Sequence, residues 1–205
     1  MTRFTLNALI QSERENKLIK KIMSITFITG NQNKADYLAK YLGFPVDHVK
    51  LDLDELQSLD LKIIVEHKVK QAYDVIKRPV IVEDVSLECL ALGRLPGPFI
   101  KFFVEEMPAE DFCSLFIGRN REAVAKCVFG FYDGETLKLF EGKLNGRIAE
   151  QPSGENGFGW DKLFIPDGYN VTRASLSKED DRKTYLQLKP FEEVKSFLNN
   201  YKHRI

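Results

Sequence analysis

Four short segments of this chain combine residue types that can do chemistry. The first is Thr29-Gly30-Asn31-Gln32-Asn33-Lys34. A β-rich apolar run, Ile25-Thr26-Phe27-Ile28-Thr29, enters it and a helical pattern leaves it. The first amides of such a helix are unpaired donors with a partial positive charge, and they attract phosphate. Gly30 permits the turn, Thr29 and Asn31 add side-chain donors, and Lys34 adds a full charge. Asn31 is equally a good helix N-cap that needs no ligand. The second segment is Glu83-Asp84, expected at the end of a buried strand, Pro79 to Val82. Hard carboxylate oxygens at a strand end suit Mg²⁺, which takes carboxylates, water and substrate phosphates. Glu55, in Leu53-Asp54-Glu55-Leu56, offers a further ligand from a separate loop. Solvated surface acids are the alternative reading.

The third set is two isolated lysines, Lys68 on a helical stripe and Lys101 in Pro98-Phe99-Ile100-Lys101-Phe102-Phe103. Each either reaches a triphosphate or lays its stem on apolar surface with the ammonium in water. The fourth is Gly157-Phe158-Gly159-Trp160-Asp161. Aromatics beside glycines make a stacking clamp for a base, and Asp161 can accept from ring N–H groups. A buried apolar turn around the single tryptophan is the competing reading. No Ser, Cys and His combination marks a covalent nucleophile. Walker A, G-x-G-x-x-G and zinc-ligand spacings are missing from the sequence.

The elements that must position these residues come from periodicity. Ala35, Leu38, Ala39 and Leu42 recur at helical spacing until Gly43 and Pro45. Val65, Val69, Ala72 and Ile76 predict a second helix, with the strand Pro79 to Val82 after it. Strand, helix, strand alternation is an α/β signature. A turn at Gly93 to Pro98 precedes two short helices near 99–107 and 109–117, with Gly118 as the stop. Ala125, Cys127, Phe129 and Phe131 alternate as a half-buried strand, Asp133-Gly134 signals a hairpin, and Leu137 to Phe140 returns. Gln151 to Gly157 reads as loop. Pro190 starts a last helix with Phe191, Val194, Phe197 and Tyr201 on one face.

Composition bounds the rest. At 205 residues, 43% hydrophobic and 29% charged, the chain is an ordinary globular domain rather than a disordered or fibrous one. Residues 1–22 read as an N-terminal extension, and 23–205 as one domain. Thirty basic residues balance thirty acidic ones, which argues against a general nucleic-acid partner. No apolar run reaches the roughly 18 residues of a membrane span. Cys89, Cys113 and Cys127 form no C-x-x-C pair and fit free thiols in a reducing compartment, so a cytoplasmic location is expected. The start of the chain is too charged for a secretory signal.

The order of the motifs is more specific than any one of them. Thr-Gly-Asn-x-x-Lys, Val-Glu-Asp, Leu-Pro-Gly-Pro-Phe-Ile-Lys, Phe-Gly-Trp-Asp and Pro-Asp-Gly-Tyr closely resemble the inosine triphosphate pyrophosphatase family over residues 23–176. The resemblance implies an elongated, two-lobed α/β fold with a central mixed sheet and helices on both sides. It implies hydrolysis of non-standard purine nucleoside triphosphates, of inosine or xanthosine type, to monophosphate and pyrophosphate. Mg²⁺ as cofactor and a homodimer are implied with it. Thr29, Gly30, Asn31 and Lys34 match the phosphate turn, and Lys68 and Lys101 match substrate lysines. Glu55 matches a metal ligand, Asp84 the catalytic carboxylate that also holds metal, and Glu83 stands beside it as a further metal candidate. Phe158, Gly159, Trp160 and Asp161 match the base segment. The chain departs from the family afterwards. The family's lysine falls on Asp181, and its Ser-His-Arg falls on Tyr185-Leu186-Gln187 in an ungapped alignment. Leucine offers no donor and glutamine no charge. Arg182 or Lys183 is expected to restore the cation, and base preference is expected to be relaxed or redirected. A pyrophosphatase for another modified nucleotide, or a non-catalytic nucleotide-binding relative, stays open on the sequence alone.

Overall fold

A short strand of three buried residues, β1 (Thr26–Ile28), stands at the middle of the functional architecture. The computed structural model describes residues 25–43, 46–157 and 159–202. The expectations for residues 1–22, Pro45 and Phe158 lie outside them. From β1 the chain enters α1 (Gln32–Leu42), capped by the Asn31 side chain and stopped by Gly43 at φ 76°. It then forms β2 (Asp47–Val49) and α2 (Leu61–Ile76), which Asp60 caps. Next come β3 (Val80–Cys89), β4 (Pro96–Gly97) and two short helices, α3 (Ile100–Glu106) and α4 (Ala109–Ser114). The hairpin β5 (Glu122–Tyr132) and β6 (Leu137–Ile148) is followed by β7 (Phe164–Pro166), α5 (Lys178–Leu188) and α6 (Phe191–Lys202).

Among the described residues the strands make one mixed sheet in the order β2-β1-β3-β5-β6-β7, with β4 added to β3. β2, β1 and β3 run parallel, and the remaining pairs are antiparallel. Period-two alternation divides the sheet between two cores. Ile28, Val80, Val82 and Val128 pack on α2. Phe27, Ile81, Phe129 and Phe131 pack in the larger core on the other face, with Leu38, Val194 and Leu198 from α1 and α6. The expected α/β architecture with a mixed central sheet is therefore observed.

Several elements extend beyond their expected ends. β3 does not stop at Glu83-Asp84 but continues to Cys89, because β5 pairs with it along all ten residues, from Val80↔Tyr132 to Cys89↔Ala123. β1 leaves β3 at Val82, and β4 joins only at Leu87 and Glu88. The stretch between them is paired on one side alone, so the sheet opens at the two acids. β6 likewise runs on to Ile148, held by β5 and then β7. The end of α5 makes one very close approach to this sheet. A Cβ added at Gly142 in β6 would lie 2.2 Å from the Leu188 carbonyl oxygen. Only glycine lets the end of α5 rest on the sheet there.

Candidate active site

The opening at the end of β1 gathers charge from four segments. Lys68 of α2 donates to Asp84 Oδ2 at 2.7 Å and to Glu55 Oε1 at 3.2 Å. Asp84 has the parity of Val82, so strand alternation turns it toward α2, where Lys68 waits. The second Asp84 oxygen, Oδ1, accepts from the Val85 amide at 2.9 Å. Burial pulls the Lys68 pKa down, but Asp84 first and then Glu55 outweigh it and hold the ammonium above its usual range. Thr29, Asp52, Glu55, Lys68 and Glu83 line a cleft of about 190 Å³ here. At its edge Thr29 Oγ1 accepts from the Asn31 amide at 3.1 Å, and Asn31 Oδ1 accepts from the Lys34 amide at 3.4 Å. The turn is thus capped internally, as its N-cap residue alone would require, while Lys34 projects its ammonium to Glu83 at 3.4 Å.

Glu83 has the opposite parity. Its side chain is 4% exposed, and its Oε1 accepts from Lys34 and from Lys189, the residue just past α5. Burial pushes the Glu83 carboxyl up, but Lys189 and Lys34 more than offset that and hold it below the usual carboxylate range. Burial pulls Lys189 down, yet Cys127, Glu83 and Tyr185 together hold it well above an ordinary lysine. Lys189 also donates to Cys127 Sγ at 3.4 Å, and burial pushes that thiol up to about 12, leaving it inert at neutral pH. Of the three acids grouped by the sequence, Glu55 and Asp84 share one ammonium on the α2 side, whereas Glu83 is closed between two ammonium groups on the other. Glu55, which lines the cleft, and Asp84, which shares Lys68 with it, are hard carboxylates of the kind that fit an ion completing its shell with water and phosphate. Among the described residues no group of three or more His, Cys, Asp or Glu is placed to hold a metal by itself.

A second charged cluster forms where the chain comes back from β7. Trp160 and Asp161 sit on a 3₁₀ turn, Gly159–Lys162. A following 3₁₀ turn, Arg173–Ser175, brings up Arg173, whose side chain is 5% exposed. Its Nη1 donates to Asp161 Oδ1 and its Nη2 to Asp181 Oδ1, both at 2.9 Å. The guanidinium carbon lies 5.9 Å from the Trp160 ring centroid. The buried Arg173 Nε–H has no acceptor, a situation that costs on the order of 1–3 kcal/mol in a protein interior. α5 touches both clusters, through Asp181 in its first turn and Lys189 just beyond its last.

The remaining expected residues lie apart from these two clusters. Lys101 is exposed at the start of α3 and makes no ion pair among the described residues, although α3 packs against the turn that holds Trp160. Lys183 is bound to Glu179 and Asp180 on the surface of its own helix, so it brings no cation to the Trp160 turn. Arg182 is exposed. Tyr185 packs its ring on Tyr37 at 4.9 Å, and Leu186 and Gln187 face outward. A larger cleft of about 390 Å³, walled by Phe103, Met107, Phe112 and Leu163 among others, is lined by none of the residues singled out from the sequence. Sequence reasoning missed Lys189 and Arg173. Both lie outside any amphipathic pattern, and only the approach of α5 to Gly142 and the fold of the 167–177 loop reveal them.

The Ham1 family profile matches residues 25–197. Inosine triphosphate pyrophosphatase 2 of Trypanosoma cruzi (strain CL Brener) is 42% identical over 164 residues, which cover 78% of this chain and 84% of that protein. The inosine triphosphate pyrophosphatase of Schizosaccharomyces pombe is 33% identical over 187 residues, covering 89% and 98%. Among solved structures, the Staphylococcus aureus Ham1 protein superposes with a TM-score of 0.73 at 25% identity, covering 87% of this chain and 99% of its own. A HAM1 protein from Coxiella burnetii, at 20% identity and a TM-score of 0.72, shares the fold.

Proposed function

The chain belongs to the Ham1 family, and on that premise we propose that it hydrolyses non-standard purine nucleoside triphosphates, of the inosine and xanthosine type, to monophosphate and pyrophosphate. Such an activity clears deaminated purines from the nucleotide pool. The observation that carries this reading is the single Lys68 ammonium held by both Asp84 and Glu55 at the mouth of the β1 cleft. Those acids and that amine are what phosphoryl-transfer chemistry requires: positioning and charge compensation, without a covalent nucleophile.

In this reading Thr29, Gly30, Asn31 and Lys34 receive phosphate at the start of α1, with the helix amides as donors. Asp84 orients the attacking water and takes its proton. Lys68 and Lys34 compensate charge as the bridging oxygen leaves, and Lys101 reaches the nucleotide from α3. Glu55 and Asp84 would hold Mg²⁺, which when bound neutralises phosphate oxygens as a Lewis acid. Glu83 serves as the buried counterion that fixes Lys34 rather than as a metal ligand. Phe158, Gly159, Trp160 and Asp161 form the base end, with the tryptophan as apolar surface and Asp161 as acceptor. A homodimer and a cytoplasmic location belong to the same proposal. The first rests on the family resemblance. The second is supported by three buried free thiols.

Pyrophosphate release with Mg²⁺, measured across inosine, xanthosine, adenosine, guanosine and pyrimidine triphosphates, tests the reading. Turnover led by the inosine and xanthosine substrates supports it. No turnover of any of them rejects it.

A further inference from the structure

We infer that Arg173 is the positioning residue of the base end: its guanidinium, locked between Asp161 and Asp181, holds Asp161 as an ionised acceptor for the ring N–H of a lactam purine. This role rests on the hydrolytic reading of the site and assigns, within it, the side chain that reads the base.

Three observations lead there. First, two carboxylates, Asp161 from the turn after the 151–157 loop and Asp181 from the first turn of α5, approach the same place. Second, the sequence candidates for a replacement cation do not supply it, because Lys183 is held by Glu179 and Asp180 and Arg182 is exposed. Third, Arg173 arrives from a different turn, is 5% exposed, and bridges the two acids with separate nitrogens at 2.9 Å each. A planar guanidinium presents its donors in a rigid fork and so fixes the angle between two carboxylates, whereas an ammonium binds two acids without fixing their orientation. One cation, brought by the 173–175 turn rather than by α5, therefore serves both acids.

The chemistry of the base explains what such a clamp reads. Hypoxanthine and xanthine carry an N–H at ring position 1 beside a carbonyl. Adenine carries a bare nitrogen there beside an amino group. An ionised, fixed carboxylate accepts from the first edge and faces a lone pair on the second. A site built to pair with such an edge rejects an analogue that cannot. The Nε–H left over on Arg173 is a buried donor of the kind a ring carbonyl would satisfy. Guanine shares the lactam edge, so the discrimination assigned to Arg173 is against adenine.

The test compares ITP and ATP on wild type, R173M, R173K, D181N and the double variant R173M/D181K. Both kcat/KM and the dissociation constants in an Asp84→Asn background are measured. A merely structural role lowers both nucleotides together, so the readout is their ratio. The expected result is a wild-type preference for ITP that falls at least about tenfold in R173M, because a mispositioned acceptor forfeits part of the edge readout. R173K, which keeps the charge but not the fork, falls in between, and D181N falls least. R173M/D181K recovers part of the preference by returning a cation from the helix side. An unchanged ratio in R173M and R173K, or no recovery in the double variant, overturns the inference. Equal wild-type affinity for ITP and ATP overturns it as well. A wild type that hydrolyses nothing yet binds ITP over ATP overturns the hydrolytic reading instead, and the binding ratios then decide on Arg173. Thermal melts and D181N, whose acid is 46% exposed, guard against an unfolded R173M.

Discussion

On the α2 face of the sheet, Lys68, Asp84 and Glu55 hold one another beside a cleft; at the first turn of α5, Arg173 is sealed between Asp161 and Asp181 beneath Trp160. Glu55 is 65% exposed, whereas Arg173 is 5% exposed. The first set can exchange partners, since an ammonium released by two hydrated carboxylates is free to meet phosphate. The second is fixed before any ligand arrives, since breaking a buried ion pair strands a charge. On the proposed function, the phosphate end is therefore built to rearrange on binding, while the base end is preorganised.

That contrast is tested hardest at Asp84. Asp84→Asn should lower turnover by about 10²–10³ or more, the scale for losing a placed electrostatic group, with an unchanged melting temperature. Steady-state rates and circular dichroism read both. Next comes the support behind the phosphate turn. Glu83→Gln should cost about 3–5 kcal/mol in urea denaturation, because Lys189 is left buried without its counterion. That experiment has a pH arm. The folded Glu83 pKa is depressed, so its contribution is complete above the unfolded value near about 4.3 and is lost as pH falls through the folded value. Wild type should lose stability on that acid limb, and Glu83→Gln should lack that part of the loss. Gly142→Ala should cost about 1–3 kcal/mol through overpacking against the Leu188 carbonyl, and should lower activity by moving α5. The smallest effect belongs to Lys183→Ala, which should leave both the melt and the ITP/ATP ratio where they were. A fallen ratio there would return the base-end cation to α5 and blunt the contrast between the two ends.

How much of this could be read beforehand depended on periodicity. α1 and α2 show buried stripes at helical spacing, Ala35, Leu38 and Leu42 in one and Leu61, Ile64, Val65, Val69 and Ala72 in the other. Their positions were legible. The continuation of β3 was not, because Glu83, Asp84 and Ser86 interrupt the apolar run and only pairing with β5 keeps them in a strand. β2 and β7, three residues each, are too short to show a period. α5 buries only Thr184 and Leu188, so it has no stripe to find, although Ser177 capping the Asp180 amide is a local start signal that marks it. Thr29, Glu55, Lys68 and Asp84 were nameable from residue type and motif order. Lys101 was named by the same reasoning, and the structure places it apart from their ion pairs. Lys189 and Arg173 act through contacts made across 106 and 12 residues of chain, which no local pattern encodes.

α5 docks on Gly142 as a stiff rod, and its two anchored residues, Asp181 and Lys189, are eight positions apart. At about 1.5 Å per residue that fixes a gauge of about 12 Å. The spacing between the Glu83 anchor and the Arg173 anchor is thereby set by the length of one helix, so a change in that length would shift one against the other.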